Sequence, residues 1–132
     1  MRDATLQQVD DDPIAHHVVA ENARVLAFVE ALRRNDVDAL GPLLLDSHAS
    51  LRDDFRVSTP EVDLLVDLCL QHGAFGARIT GGGFGGCVVA MLPAGGATAA
   101  AGAIVERYGA ATGLVATPYD VRAVDGAGRV DR

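Results

Sequence analysis

Six glycines fall within the eleven residues Gly76 to Gly86 of the stretch GARITGGGFGGCVVAML. A packed domain has little use for so much conformational freedom unless the backbone turns tightly or lies against a ligand. Successive backbone amides in such a loop can cradle phosphate oxygens. Gly81, Gly83 and Gly86 also satisfy the spacing G-x-G-x-x-G. A dinucleotide site needs a helix to open inside that loop, whereas CVVAML, which follows, is short and β-branched. A Walker A loop needs Gly-Lys-Ser/Thr, and the chain has no lysine. The protein-kinase glycine loop does lie between strands, but its lysine and later catalytic motifs are absent. Phosphate cradling therefore stays open, beside a glycine hairpin that serves packing alone.

Other side chains offer less. His17, Glu21 and Arg24 share a helical face, which suits an ion-pair network better than acid–base chemistry. Ser47 adjoins His48, and neighbours on a helix diverge too far to act as nucleophile and base, so these residues and Ser50 read as structural. His16 and His72 lack companions at metal spacing, and Asp10 to Asp12 read as a solvated turn with a helix cap. No residue is assigned as catalytic or as a metal ligand. Phe84, amid the glycines, either closes over a nucleotide or companion domain or plugs the core. Arg78 alternates with Ala77 and Ile79; it either reaches a phosphate as an auxiliary group or, as expected among 18 acids, pairs with a carboxylate.

These residues need elements to hold them. Asp12-Pro13 reads as a helix start, and Val18, Asn22, Val25, Val29 and Leu32 trace one helical face toward Arg33 and Arg34. Asn35 or Asp36 opens a second helical stretch, in which Pro42 implies a kink or restart. Ser58 or Thr59 caps a third helix, with Pro60 in its first turn and Gly73 as its terminator. Strands are expected over AFGARIT and CVVAML on either side of the glycines, then an alanine-rich helix from Gly96, then a last strand in PYDVRAV. The whole chain, 1–132, reads as one α+β domain with helices packed on one face of a small, mostly antiparallel sheet.

Composition narrows the partners. The net charge is -7, with a pI near 4.8, which argues against nucleic acid or an anionic membrane surface. All eleven basic residues are arginines. Mean hydropathy is +0.21, and no apolar run is long enough to span a membrane. The polar, acidic N-terminus is unlike a secretory signal. Cys69 and Cys87 both lie in apolar runs and read as buried, reduced thiols of a cytoplasmic protein.

Three ordered blocks carry a family resemblance. ARITGGGFGGCVVAML resembles the third motif of the GHMP small-molecule kinases, in the form that galactokinases have. HVVAENARVL and DSHASLRDDFRVSTPEVDLLV agree with galactokinases as well, and the opening RDAT resembles the segment that precedes them. The resemblance implies transfer of the ATP γ-phosphate to the anomeric hydroxyl of galactose, in a cleft between two domains. It implies that Thr80, Gly81, Gly82, Gly83, Phe84, Gly85 and Gly86 line the triphosphate side of that cleft. ATP and Mg²⁺ belong to the complete enzyme, and none is expected to bind this chain alone. Galactokinases are much longer, with the sugar-binding motif, the phosphate loop, the catalytic Asp and the Mg²⁺ ligands upstream. The chain thus reads as the C-terminal domain, inactive alone, of a truncated or split enzyme whose N-terminal domain is the partner. An exposed interdomain face would then permit homo-oligomers. A different sugar kinase of the family, and a stand-alone binding or interaction module of the same fold, are the alternatives.

Overall fold

The computed structural model describes residues 5–9, 11–124 and 128. A short 3₁₀ turn at Leu6–Gln8 leads to helix α1 (Pro13–Arg33), followed by α2 (Val37–Asp53) and α3 (Pro60–Gln71). Strands β1 (Gly76–Thr80) and β2 (Cys87–Met91) form an antiparallel pair, and α4 (Ala97–Thr112) follows.

The helix boundaries follow local chemistry. Asp12 accepts hydrogen bonds from the amides of Ile14 and Ala15 at 3.0 and 3.1 Å, and Pro13 occupies the first helical position. Asp36 caps α2 through the Ala39 amide. Of the two candidates before α3, Thr59 is the cap, while the Ser58 hydroxyl turns to Asp63. Gly73, at φ +90°, closes α3. Pro42 neither ends nor restarts α2, which is continuous across it.

One face of the sheet carries the core. Ala77 packs with Val66, Leu68 and Cys69 of α3 and with Ala100, Ile104 and Tyr108 of α4, and Val88 and Ala90 lean on the same cluster. In the register, Ile79 faces Val88 and Ala77 faces Ala90, so one side of both strands is apolar and covered. The other side of β2 is open. Cys87 is therefore exposed, contrary to the burial expected from its apolar run, because alternation along β2 turns it outward. Only Cys69 is buried, and burial pushes its thiol above the ordinary cysteine value.

Helix α2 runs against β1 on the side away from β2. The Ile79 amide donates to the His48 ring of α2 at 3.4 Å instead of to a third strand. The two backbones touch: a Cβ on Gly41 would come within 2.1 Å of the Phe75 carbonyl oxygen, so only glycine fits there. An edge that a helix covers does not recruit a strand. The strand expected over PYDVRAV is not formed: among the described residues the sheet has two strands, β1 and β2. Residues 118–124 enter no ladder, and Tyr119 and Val121 are 80% and 75% exposed.

A second departure concerns α1. It buries Ala15, His17, Ala20 and Ala31, while Val18, Val25, Leu26, Val29 and Leu32 face outward. Small residues bring α1 close to α2, and the larger apolar side chains are left uncovered.

Candidate functional site

The strand pair delivers the glycine loop. The Thr80–Cys87 pairing closes the ladder, and residues 81–86 arch between them. Gly81, Gly83, Gly85 and Gly86 all take positive φ, and Phe84 joins them at +59°. Two contacts hold this arch against the α2–α3 connection. The Phe84 amide donates to the Val57 carbonyl at 2.6 Å. Gly83 lies so close that a Cβ would sit 2.5 Å from Val57 Cβ and 2.7 Å from Val57 O. A Cβ on Gly81, Gly82, Gly85 or Gly86 would meet nothing within 4 Å.

Among the described residues, Phe84 carries the one loop amide between 81 and 86 that is bonded to the protein. The amides of Gly81, Gly82, Gly83, Gly85 and Gly86 remain as donors on a backbone pinned at its middle. Phe84 itself is 76% exposed, so its ring does not plug the core.

Arg78 leaves β1 on the face opposite Ala77 and Ile79, as alternation requires. One guanidinium nitrogen donates to Ser47 Oγ at 2.7 Å and lies 3.3 Å from Glu21 Oε2, while Nε donates to the Ile79 carbonyl. The Ser47 hydroxyl donates to Glu21 Oε2 at 2.7 Å, and Arg24 pairs with Glu21 Oε1. Arg78 is thus paired with a carboxylate, and Glu21 and Arg24 form the ion-pair network their spacing suggested. Burial alone would raise the Glu21 carboxyl, but the bonds from Ser47 and Arg24 and the two arginine charges outweigh it. They hold Glu21 below the ordinary glutamate value. This cluster floors an open groove of about 240 Å³ between α1 and α2, walled by Val25, Phe28 and Leu44.

The histidines take separate places. His17 Nδ1 lies 2.9 Å from Ser50 Oγ, whose hydroxyl donates to Asp54, and the ring stacks on Phe55 at 4.8 Å. Ser50 donates its proton to Asp54 and Ser47 to Glu21, so neither hydroxyl donates to an imidazole base. Burial holds both His17 and His48 below the ordinary imidazole value, against the raising influence of Glu21 on the first and Asp63 on the second. Among the described residues no group of three His, Cys, Asp or Glu side chains could hold a metal ion, and no helix is long and apolar enough to cross a membrane. Asp10, the first of the three consecutive aspartates, and Arg2 to Ala4 of RDAT lie outside the described residues.

Sequence reasoning missed Val57 and Asp63. Val57 acts through its carbonyl and its closeness to Gly83, which no side-chain pattern reports. Asp63 sits in a helix's first turn, where an acid is ordinary.

A family model described as GHMP kinases C terminal matches residues 28–110, and the chain belongs to that family. Within it, the chain is 45% identical over 130 residues to a galactokinase of Streptomyces coelicolor, covering 96% of this chain and 33% of that protein. It is likewise 45% identical to a galactokinase of Glaesserella parasuis, over 95% of this chain and 34% of that one. The chain thus spans about a third of the length of the curated relatives it matches. The fold is similar to Lactococcus lactis galactokinase complexed with galactose, with TM-score 0.78 and 32% identity over 85% of this chain and 32% of that one. It is also similar to L. major mevalonate kinase in complex with R-mevalonate, with TM-score 0.58 and 27% identity over 83% of this chain and 35% of that one.

Proposed function

We propose that this chain is the C-terminal part of a galactokinase, which transfers the ATP γ-phosphoryl group to the anomeric hydroxyl of galactose, and that it supplies one wall of the cleft. The observation that carries this reading is the loop Thr80–Gly86. Its glycine amides have no acceptor within the described protein, while Val57 fixes the backbone that bears them. Donors held in place before the ligand arrives suit a phosphate-rich ligand, because little reorganisation is left to pay on binding. Thr80 and Phe84 flank those donors, and Arg78, committed to Glu21 and Ser47, braces β1 behind them as an auxiliary group. Similarity to galactokinases along nearly the whole chain supports the substrate pair.

The loop fits ATP phosphates but not Mg²⁺, since it offers amide donors and no carboxylate. The ion's ligands, the catalytic groups and the sugar contacts belong to the partner domain in this reading. The uncovered face of α1, with Val25, Leu26 and Leu32, supports such a partner, and it is equally available to a second copy of the chain. The complete enzyme is cytoplasmic in this reading.

The test is complementation. The purified chain is mixed with the N-terminal part of a galactokinase, and galactose 1-phosphate is measured, with sedimentation of each component. Activity should arise only in the mixture. Turnover by the chain alone, or a folded chain that neither binds nor activates any N-terminal partner, would overturn the proposal.

A further inference from the structure

Both anchors of the glycine loop trace back to one buried spot. His48 is 3% exposed and Ile79 is 1% exposed, and the Ile79 amide donates to His48 Nδ1 on the strand edge that β2 does not serve. Ile79 stands two residues before Gly81, so this bond fixes the strand as it enters the loop. His48 Nε2 lies 3.2 Å from Asp63 Oδ1, close enough for a charge contact though out of line for a hydrogen bond. Ser58 donates to that same carboxylate oxygen, and its neighbour Val57 accepts the Phe84 amide in the middle of the loop. One carboxylate on α3 therefore touches His48, which sets the loop's entry, and Ser58, the chain neighbour of the Val57 carbonyl that holds its crest.

We propose that His48 is a positioning residue for the glycine loop: its neutral ring, with Nδ1 free to accept and the proton on Nε2 beside the Asp63 carboxylate, holds β1 and so aims the loop's amides. The role rests on the reading of the loop as a phosphate-facing wall. The chemistry needs this tautomer, because a protonated Nδ1 cannot accept the Ile79 N–H. A buried amide stripped of its acceptor is costly, so the strand shifts or opens instead. The charged groups around the ring are Asp63 and Asp67 on α3 and Arg52 and Asp53 on α2; β1 presents only its amide.

Hydrogen–deuterium exchange of the folded chain tests this directly, with α4 amides as the internal reference. His48→Asn places a carbonyl oxygen where Nδ1 stood, and His48→Gln places its amide near the Nε2 position at closer to the original volume. Asn should keep Ile79 and Phe84 protection within about threefold of the parent, while Gln should lose about tenfold or more at both amides. In the parent, the Ile79 protection factor should fall as pH drops below the ordinary imidazole range, and in His48→Asn it should not. Equal protection in the two variants, or a parent profile flat with pH, overturns the proposal. Phosphate contact is scored separately, by ATP-dependent protection of residues 81–86 in the assembled enzyme. Loss of that signal alone would sink the wall reading and leave the His48 bond standing.

Discussion

Replacing Gly83 by alanine should unseat the loop from Val57. At φ +84° an L-residue pays about 1–2 kcal/mol for the left-handed conformation. Its Cβ would also lie 2.7 Å from the Val57 carbonyl oxygen, which is backbone and cannot swing aside like a side-chain tip. Overpacking of that kind costs about 1–3 kcal/mol. Moving the loop to relieve it would break the Phe84–Val57 bond, worth about 0.5–1.5 kcal/mol net. Overpacking and bond loss are alternatives, and the cheaper one adds to the φ penalty, so a loss of about 1.5–3.5 kcal/mol is expected. Gly82→Ala is the matched control. Its φ is not positive and its added Cβ meets nothing within 4 Å, so its cost should stay within about 1 kcal/mol. Urea unfolding followed by circular dichroism measures both. A Gly83→Ala loss below about 1 kcal/mol, or equal losses for the two variants, would refute the packed-loop argument. In the complemented enzyme the controls should separate again: Gly82→Ala leaves the fold intact yet intrudes on the open side of the loop, and should weaken ATP binding.

Stability should fall in two acid windows. His17 and His48 are held below the ordinary imidazole value in the folded chain, so the unfolded chain binds more protons as pH drops. Stability is therefore full above about pH 6.5 and declines from there down to the folded values, by up to about 1.4 kcal/mol per pH unit for each histidine. A second decline begins near pH 4.5, where Glu21, held below its ordinary value, loses the charge that its arginines favour. Urea midpoints that stay constant from pH 8 to pH 5 would contradict the first window. Glu21→Ala should cost about 1–3 kcal/mol, because it strips the partly buried Arg78 and Ser47 of their shared acceptor. Glu21→Gln should recover part of that loss in thermal unfolding, and an Ala variant as stable as the parent would show the network to be inert.

What the sequence could disclose was local. Asp12, Thr59 and Gly73 set helix ends within a turn of themselves, and a run of glycines between apolar segments marks a loop wherever the rest of the chain lies. Alternation put Arg78 opposite Ala77 and Ile79, and the excess of acids, 18 in the chain, made a carboxylate its expected partner. The third strand was misread for a reason of the other kind. PYDVRAV has the alternation of a strand, but a strand exists only through a partner, and this segment pairs with neither β1 nor β2. Cys87 was misplaced because an apolar run does not say whether both faces of a hairpin are covered. The stripe Val18, Val25, Val29 and Leu32 was read correctly as one helical face, yet it faces outward. Periodicity reports that a face is apolar; it does not report which molecule covers it. In this chain that distinction separates two kinds of residue. The alanines of α1 meet α2 within the fold, while the larger side chains beside them are uncovered among the described residues. The same division runs through the glycine loop, where Gly83 packs on Val57 and the Phe84 amide bonds to it, while the glycine amides have no acceptor among the described residues. Contacts inside the chain thus fix the geometry, and the groups without internal partners are the ones on which the proposed partner and ligand are tested.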